Sequence, residues 1–91
     1  MDYSDEFIEK VRELAEALTP VSDIAALLDV DESILRDELC NKLSPVRNAY
    51  IKGKATTALA LRRQELELAK VGSPLAVQLT ASYVKDMTID E

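Results

Sequence analysis

The chain has 91 residues, which is enough for one small domain or for two small units. Apolar residues make up 47% of the sequence and aromatic residues only 4%, which excludes a disordered chain and leaves the core to alanine and leucine, as in close-packed helices. A net charge of −6 argues against a general affinity for nucleic acid, and one cysteine with no histidine excludes an internal disulfide and argues against a zinc site.

The first two predicted helices are short and end at recognisable signals. Ser4 can cap the first helix, whose apolar stripe consists of Phe7, Ile8, Val11, Leu14, Ala15 and Leu18. Thr19-Pro20 ends this helix, because proline disfavours helical geometry in the residue before it. The second helix is predicted over residues 20–28, with the inward side chains Ile24, Ala25, Leu27 and Leu28.

Three further helices complete the prediction. Asp31 caps a third helix, Glu32 to about Leu43, whose inward side chains are Ile34, Leu35 and Leu39. Ser44, as the cap, and Pro45 open a long fourth helix that reaches Val71, and Gly53 inside it is expected to weaken or bend it. The Gly72-Ser73-Pro74 turn starts a fifth helix, and residues 88–91 are expected to form a frayed tail. The predicted fold is all-α, with a helix-turn-helix unit in residues 1–43 and a helical hairpin, an expected oligomerisation unit, in residues 44–91.

The stretch from Ile24 to Leu39 has the pattern of a helix-turn-helix motif. Two short helices that cross steeply need a small residue at their contact, which Ala25 supplies. The turn needs a residue that tolerates a positive φ and then an apolar side chain, and Asp29 and Val30 take these places. In such a motif, the N-terminal part of the second helix enters the DNA major groove. The side chains predicted to face outward there are Glu32, Ser33, Arg36 and Asp37, with Cys40 one turn further on.

Direct base recognition by this helix is one of two interpretations. Arg36 can pair with guanine and Ser33 with a phosphate, whereas Glu32 and Asp37 would repel the DNA backbone. The alternative is that the motif serves only as a three-helix packing unit.

Charges are distributed unevenly along the chain. Residues 1–35 hold ten acids and two bases, a net charge of −8, whereas residues 36–70 hold eight bases and four acids, a net charge of +4. No acid occurs between Lys42 and Gln64. This pattern predicts a local anion-binding surface, or else a solvated helix face that happens to be basic. The candidate DNA-binding residues are Ser33, Arg36, Lys42, Arg47, Lys52 and Lys54.

The order of these features resembles the small terminase subunits of tailed bacteriophages and related prophage proteins. After the helix-turn-helix, the basic segment Tyr50-Ile51-Lys52-Gly53-Lys54-Ala55 leads into an Ala- and Leu-rich helix, the Gly72 turn and a short last helix. The resemblance covers residues 10–87. Two positions depart from the family pattern: Asp29 replaces the usual glycine of the turn, and Ile34 replaces a polar residue near the start of the recognition helix.

This resemblance implies a non-enzymatic protein without a cofactor, located in the cytoplasm of a bacterial host cell. It would bind double-stranded DNA at the packaging site, assemble into a homo-oligomer, commonly a ring, and hand the DNA to the large terminase subunit. In that family, the large subunit carries out ATP hydrolysis and DNA cleavage.

A second apolar stripe on the long helix predicts self-association. The main apolar face of this helix consists of Ile51, Ala55, Ala58, Leu59, Leu66 and Ala69. One short partner helix can hardly cover more than this face. Tyr50, Leu61 and Leu68 lie outside it, and we expect them to form an oligomer interface. The alternative is that the first three helices fold back over this stripe.

Neither catalysis nor membrane insertion is expected. Histidine, the commonest general base, is absent, Cys40 has no histidine to activate it, and no phosphate-binding glycine loop occurs. No run approaches the ~20 apolar residues of a membrane span, and the acidic first residues are unlike a secretory signal, so we expect an intracellular protein. Two functional classes remain: a DNA-recognition subunit of a packaging terminase, and a helix-turn-helix transcription regulator or helical interaction module that does not read DNA bases.

Overall fold

The computed structural model describes residues 3–87, and within this range it contains α-helices and no strand. Its five helices are α1 (Asp5–Glu16), α2 (Val21–Leu27), α3 (Glu32–Leu39), α4 (Pro45–Lys70) and α5 (Pro74–Asp86). The predicted all-α fold is confirmed. The chain divides into two compact units, Met1–Thr57 and Ala58–Glu91, so the division falls inside α4, whereas the sequence placed it after residue 43. The predicted frayed tail, residues 88–91, lies outside the described residues.

The first helix starts where its cap predicts and ends slightly early. The hydroxyl of Ser4 accepts a hydrogen bond from the amide of Phe7 at 3.1 Å, which satisfies one of the free donors of the first turn. The helix ends at Glu16 instead of continuing to Thr19. The reason is Leu18, whose φ of 59° lies in the left-handed region and turns the chain out of the helix.

The third helix is shorter than the sequence predicted. Its expected end near Leu43 is wrong, because α3 stops at Leu39. Asn41 turns the chain there: its side-chain oxygen accepts a hydrogen bond from the amide of Leu43 at 3.0 Å. This local side-chain bond competes with the next helical bond, and the helix cannot continue.

Two side chains that were predicted to face inward lie on the flanks of their helices instead. α2 buries Ile24 and Ala25 but leaves 63% of Leu27 exposed. α3 buries Leu35, so the neighbouring Ile34, about 100° further around the helix, is exposed. A helix of two turns has only a narrow buried face, and these two residues fall outside it.

The core of the first unit lies where its helices meet. Its buried members come from α1, α2, α3 and the first turn of α4, and they are Val11, Ile24, Ala25, Leu35 and Val46. The partly buried side chains packed against them include Phe7, Leu14, Leu28, Val30, Leu39 and Tyr50. These apolar contacts hold the helix-turn-helix against the start of α4.

Gly53 marks a close helix crossing and does not break α4. The helix runs through it without interruption to Lys70. A Cβ atom at Gly53 would lie 2.2 Å from the carbonyl oxygen of Arg12 and 3.1 Å from the Cβ of Ala15. The backbones of α1 and α4 therefore come together at a point where a side chain does not fit. The hydroxyl of Thr57 also donates a hydrogen bond to the carbonyl of Glu16, which fixes the end of α1 against α4.

The second unit contains the end of α4 and the whole of α5. Gly72 has a φ of 91°, and the hydroxyl of Ser73 accepts a hydrogen bond from the amide of Ala76 at 3.3 Å, so the predicted turn and cap are confirmed. Ala76 is the one buried residue among the described residues of this unit. Its larger apolar side chains are exposed, among them Leu59, Leu61, Leu66, Leu68, Leu75, Val77 and Val84.

Candidate nucleic-acid interface

The turn between α2 and α3 has the backbone geometry of a helix-turn-helix. Asp29 has a φ of 57°, as its place in the motif predicted. The amide of Val30 then donates to the carbonyl of Ala25 at 3.0 Å, a bond that closes the end of α2 and brings Val30 back toward the core. Ala25 is buried and α2 packs directly against α3. The turn therefore fixes how α3 packs against α2.

The start of α3 is capped and its outward face is exposed. A carboxylate oxygen of Asp31 accepts hydrogen bonds from the amides of Ser33 and Ile34 at 2.9 and 3.2 Å, which confirms the predicted cap. The side chains on the predicted outward face, all of them exposed, are Glu32, Ser33, Arg36, Asp37 and Cys40. The N-terminal half of α3 therefore presents exposed side chains on this face.

Arg36, the cation of α3, is already paired. Its Nε atom lies 2.9 Å from Oε2 of Glu32, one turn earlier on the same helix. Both side chains are about half exposed, so this ion pair contributes little to stability and can open. To contact guanine, Arg36 must leave Glu32, and the carboxylate that it leaves would then face the DNA.

The link between α3 and α4 is tied by a hydroxyl whose second role the sequence did not predict. Ser44 is buried, and its hydroxyl accepts a hydrogen bond from the amide of Val46 at 3.1 Å, the predicted cap. The same hydroxyl donates to the carboxylate of Glu38 on α3 at 2.9 Å. Lys42 lies exposed in this link and Arg47 is half-buried in the first turn of α4. No local signal predicted Glu38, because it lies six residues before Ser44.

The six candidate DNA-binding residues lie on α3, on α4 and in the link between these two helices. Ser33 and Arg36 are one turn apart on α3, while Arg47 and Lys54 are seven residues apart, or about two turns, on one side of α4. Lys52 and Lys54 flank Gly53 and lie on different sides of the helix. Lys54 lines a small cavity of about 170 Å³ at the end of α1, beside Leu18, Pro20 and Tyr50.

Lys52 lies toward a charge cluster on α1. Arg12 contacts two carboxylates there: its Nη2 atom lies 2.6 Å from Oε1 of Glu9, and its Nη1 atom lies 2.5 Å from Oε2 of Glu16. The hydrogen bond from Arg12 lowers the pKa of Glu9 below its ordinary value against an opposing effect of desolvation, and the charges of Arg12 and Lys52 lower it further. The pKa of Arg12 is raised by its bonds to Glu9 and Glu16. Lys52 thus has a carboxylate of its own unit nearby, whereas Arg47 and Lys54 lie on another side of α4.

The three residues predicted as an oligomer interface have different surroundings. Tyr50 is partly buried and packs against the core of the first unit, so much of its ring is already covered. Leu61 and Leu68 are exposed. Close to Leu61, the guanidinium of Arg62 lies over the ring of Tyr83 at 5.5 Å from its centre, a cation–π contact within the second unit.

Within residues 3–87, no cluster of three or more His, Cys, Asp or Glu side chains could hold a metal ion. None of the helices described over that range is long and apolar enough to cross a lipid bilayer. No protein-family model, no curated protein and no solved structure matches this chain.

Proposed function

We propose that this protein is a non-enzymatic DNA-recognition subunit of a bacteriophage packaging terminase. In this role it binds double-stranded DNA at the packaging site, assembles as a homo-oligomer and presents the DNA to a large subunit. The observation that carries the proposal is the turn at Asp29. Its left-handed backbone, with buried Ala25 before it, sets the packing of α2 against α3, whose capped start has exposed side chains. A major-groove reader needs this arrangement.

Phosphate binding is assigned to the acid-free stretch that follows the motif. Arg47 and Lys54 share one side of α4, and Lys54 is exposed. Phosphate contacts provide most of the sequence-independent affinity of DNA-binding proteins, and each contact alone is weak. An oligomer repeats the contacts along the DNA. Once one copy is bound, the high effective concentration of the others raises the overall affinity of the assembly for DNA.

Arg47→Glu combined with Lys54→Glu tests this assignment. A labelled duplex is titrated with the protein at several salt concentrations, and binding is followed by fluorescence anisotropy. Loss of two phosphate contacts should weaken binding and reduce the slope of log K against log salt by about 2. The matched control is Lys70→Glu with Lys85→Glu, which changes the net charge equally on exposed side chains elsewhere. Equal losses in the two variants, or an unchanged slope in the first, would refute the assignment.

The self-association in the proposal is tested separately, by the molar mass in solution measured by light scattering. Copies of the second unit can cover one another, because it exposes many leucine side chains around one buried alanine. We expect six or more chains in the wild type and a smaller mass for Leu61→Ser with Leu68→Ser. A monomeric wild type at high concentration would contradict the ring.

One observation favours a second candidate, a helix-turn-helix protein that does not read bases. Arg36 is held by Glu32, and Asp37 adds a further carboxylate to the outward face of α3. If Arg36→Ala binds specific and random duplexes as the wild type does, α3 takes no part in base recognition. The protein would then be a helix-turn-helix transcription regulator or a helical interaction module that does not read DNA bases.

A further inference from the structure

A groove with an apolar floor and an acidic rim runs along α1 of the first unit. Two adjoining cavities of about 330 and 220 Å³ share Leu27 and Leu28 of α2. Phe7 adds its ring to the floor of the larger cavity. The carboxylates that line the two cavities are Glu6, Glu13 and Asp29, against the single base Lys10.

The groove leaves apolar surface uncovered within the chain. Leu27 is 63% exposed although its spacing in the helix-turn-helix predicts an inward position. Exposed apolar side chains gathered in a concave site, with polar groups around them, are typical of a surface that binds another protein. A suitable occupant has an apolar side chain for the floor and a positive charge for the rim.

The same unit carries such a group on the link between α3 and α4. Leu43 is 89% exposed, and Lys42 precedes it in the chain. The link is held in place by Asn41, whose side-chain oxygen and carbonyl accept hydrogen bonds from the amides of Leu43 and Ser44, both at 3.0 Å. Since Leu43 is almost fully exposed, it does not fill the groove of its own chain.

We propose that Leu43 and Lys42 of one copy dock into the groove of a second copy. The side chain of Leu43 covers Leu27 and Phe7, and Lys42 faces the carboxylates of Glu6 and Asp29. The larger cavity has room for a leucine side chain. Because the two surfaces differ, the contact is heterologous. An open chain of copies therefore keeps one free groove at one end and one free Leu43 at the other, and it can either close into a ring or grow into a filament. The inference rests on the self-association in the proposed function and does not depend on DNA binding.

Leu43→Ser in the full chain is the first test. The concentration dependence of the molar mass, measured by sedimentation equilibrium, gives the dissociation constant between copies. Removing a leucine that becomes buried should raise this constant at least about tenfold. Ile34→Ser is the matched control, because Ile34 is a large apolar side chain of the same unit that is 49% exposed and lines neither cavity. It should leave the constant within about twofold.

A charge exchange tests which surfaces meet. Lys42→Glu and Glu6→Lys should each weaken self-association, and circular dichroism checks that each variant is folded. An equimolar mixture of the two variants should associate more strongly than either alone, since the groove of the first accepts the unchanged Lys42 of the second. Failure of the mixture to recover association overturns the proposed contact.

The outcomes separate this inference from the proposed function. If the wild type associates and Leu43→Ser behaves like Ile34→Ser, the Leu43 contact is wrong, and the proposed oligomer then depends on the second unit alone. If the wild type is monomeric at high concentration, both the Leu43 contact and the proposed oligomer fail. DNA binding is decided by the salt titration, whichever result is obtained here.

Discussion

At the scale of single residues, three helix ends share one backbone arrangement. Two residues after the last residue of α1, α2 and α4, the chain has a left-handed residue, and the φ angles are 59° at Leu18, 57° at Asp29 and 91° at Gly72. In each case the amide of the next residue bonds back to a carbonyl five residues earlier in the chain. Glycine and aspartate take this conformation readily, whereas it costs leucine about 1–2 kcal/mol. The sequence predicted a turn at Asp29 and Gly72 from their residue types, and Leu18 gave no such signal.

This strain predicts an unusual result for Leu18→Gly. Relief of the left-handed strain should offset the loss of side-chain contacts and the greater freedom of glycine in the unfolded chain. We expect the free energy of unfolding, measured by urea denaturation, to stay within about 0.5 kcal/mol of the wild type or to rise. Leu59→Gly is the matched control, an exposed leucine in the interior of α4, and it should lose about 1 kcal/mol. Equal losses in both variants would show that Leu18 is not strained.

The ion pairs of Arg12 predict a pH dependence that can be followed at one carboxylate. The pKa of Glu9 is lowered in the folded chain, first by its hydrogen bond to Arg12. The stabilisation is therefore present above the ordinary value of 4.5 and is lost as the pH falls through the lower pKa of the folded state. In Arg12→Gln, the pKa of Glu9 measured by NMR titration should rise. The difference in unfolding free energy between wild type and variant should shrink below pH 4.5.

Lys10→Gln is the control for this titration, because it removes the same charge two residues before Arg12 on α1 without breaking either ion pair. It should shift the pKa of Glu9 much less than Arg12→Gln does. A shift of the same size in both variants would mean that net charge, and not the hydrogen bond, sets the pKa.

At the scale of helices, the crossing of α1 and α4 reverses the usual effect of a glycine. Replacing glycine by alanine in a helix normally stabilises it by about 1 kcal/mol. At Gly53 the added methyl group would lie 2.2 Å from a backbone oxygen of Arg12, and neither helix can move without disturbing the core. We expect Gly53→Ala to lower the free energy of unfolding by roughly 1–3 kcal/mol, as overpacking does. Thr56→Ala, at an exposed position of the same helix, should leave it nearly unchanged. A Gly53→Ala variant as stable as the wild type would contradict the close crossing.

A comparison of the predicted and observed helix bounds shows which features depend only on residues that are close in sequence. Ser4, Asp31, Ser44 and Ser73 were predicted as caps, and each does cap its helix, since a cap depends on three or four consecutive residues. The early end of α3 was missed, because the choice between one more helical turn and a turn at Asn41 is decided by small differences in energy. The contact of Gly53 with α1 was missed for another reason. It joins residues about forty positions apart, and periodicity along one helix carries no information on its partner.

At the scale of the whole molecule, the sequence predicted the elements better than the surfaces. The order of the five helices and the outward face of α3 follow from periodicity and caps. The candidate site was harder to predict, because a list of bases between Arg36 and Lys54 does not tell which of them already has a carboxylate nearby. Lys52 lies toward Glu9 and Arg36 is paired with Glu32. These partners come from packing and rotamers, which spacing alone does not give.

The position of the buried residues of α4 has a consequence for its hydrogen exchange. Val46 and Gly53, the residues of this helix that are buried, both belong to the first unit, and from Ala58 to Lys70 no residue of α4 is buried. Amides between residues 49 and 57 should therefore exchange with deuterium only through opening of the core, whereas those beyond residue 60 exchange through local fraying. A single unbroken helix would then show two levels of protection. Binding of another copy to the second unit should slow the exchange of the less protected amides beyond residue 60.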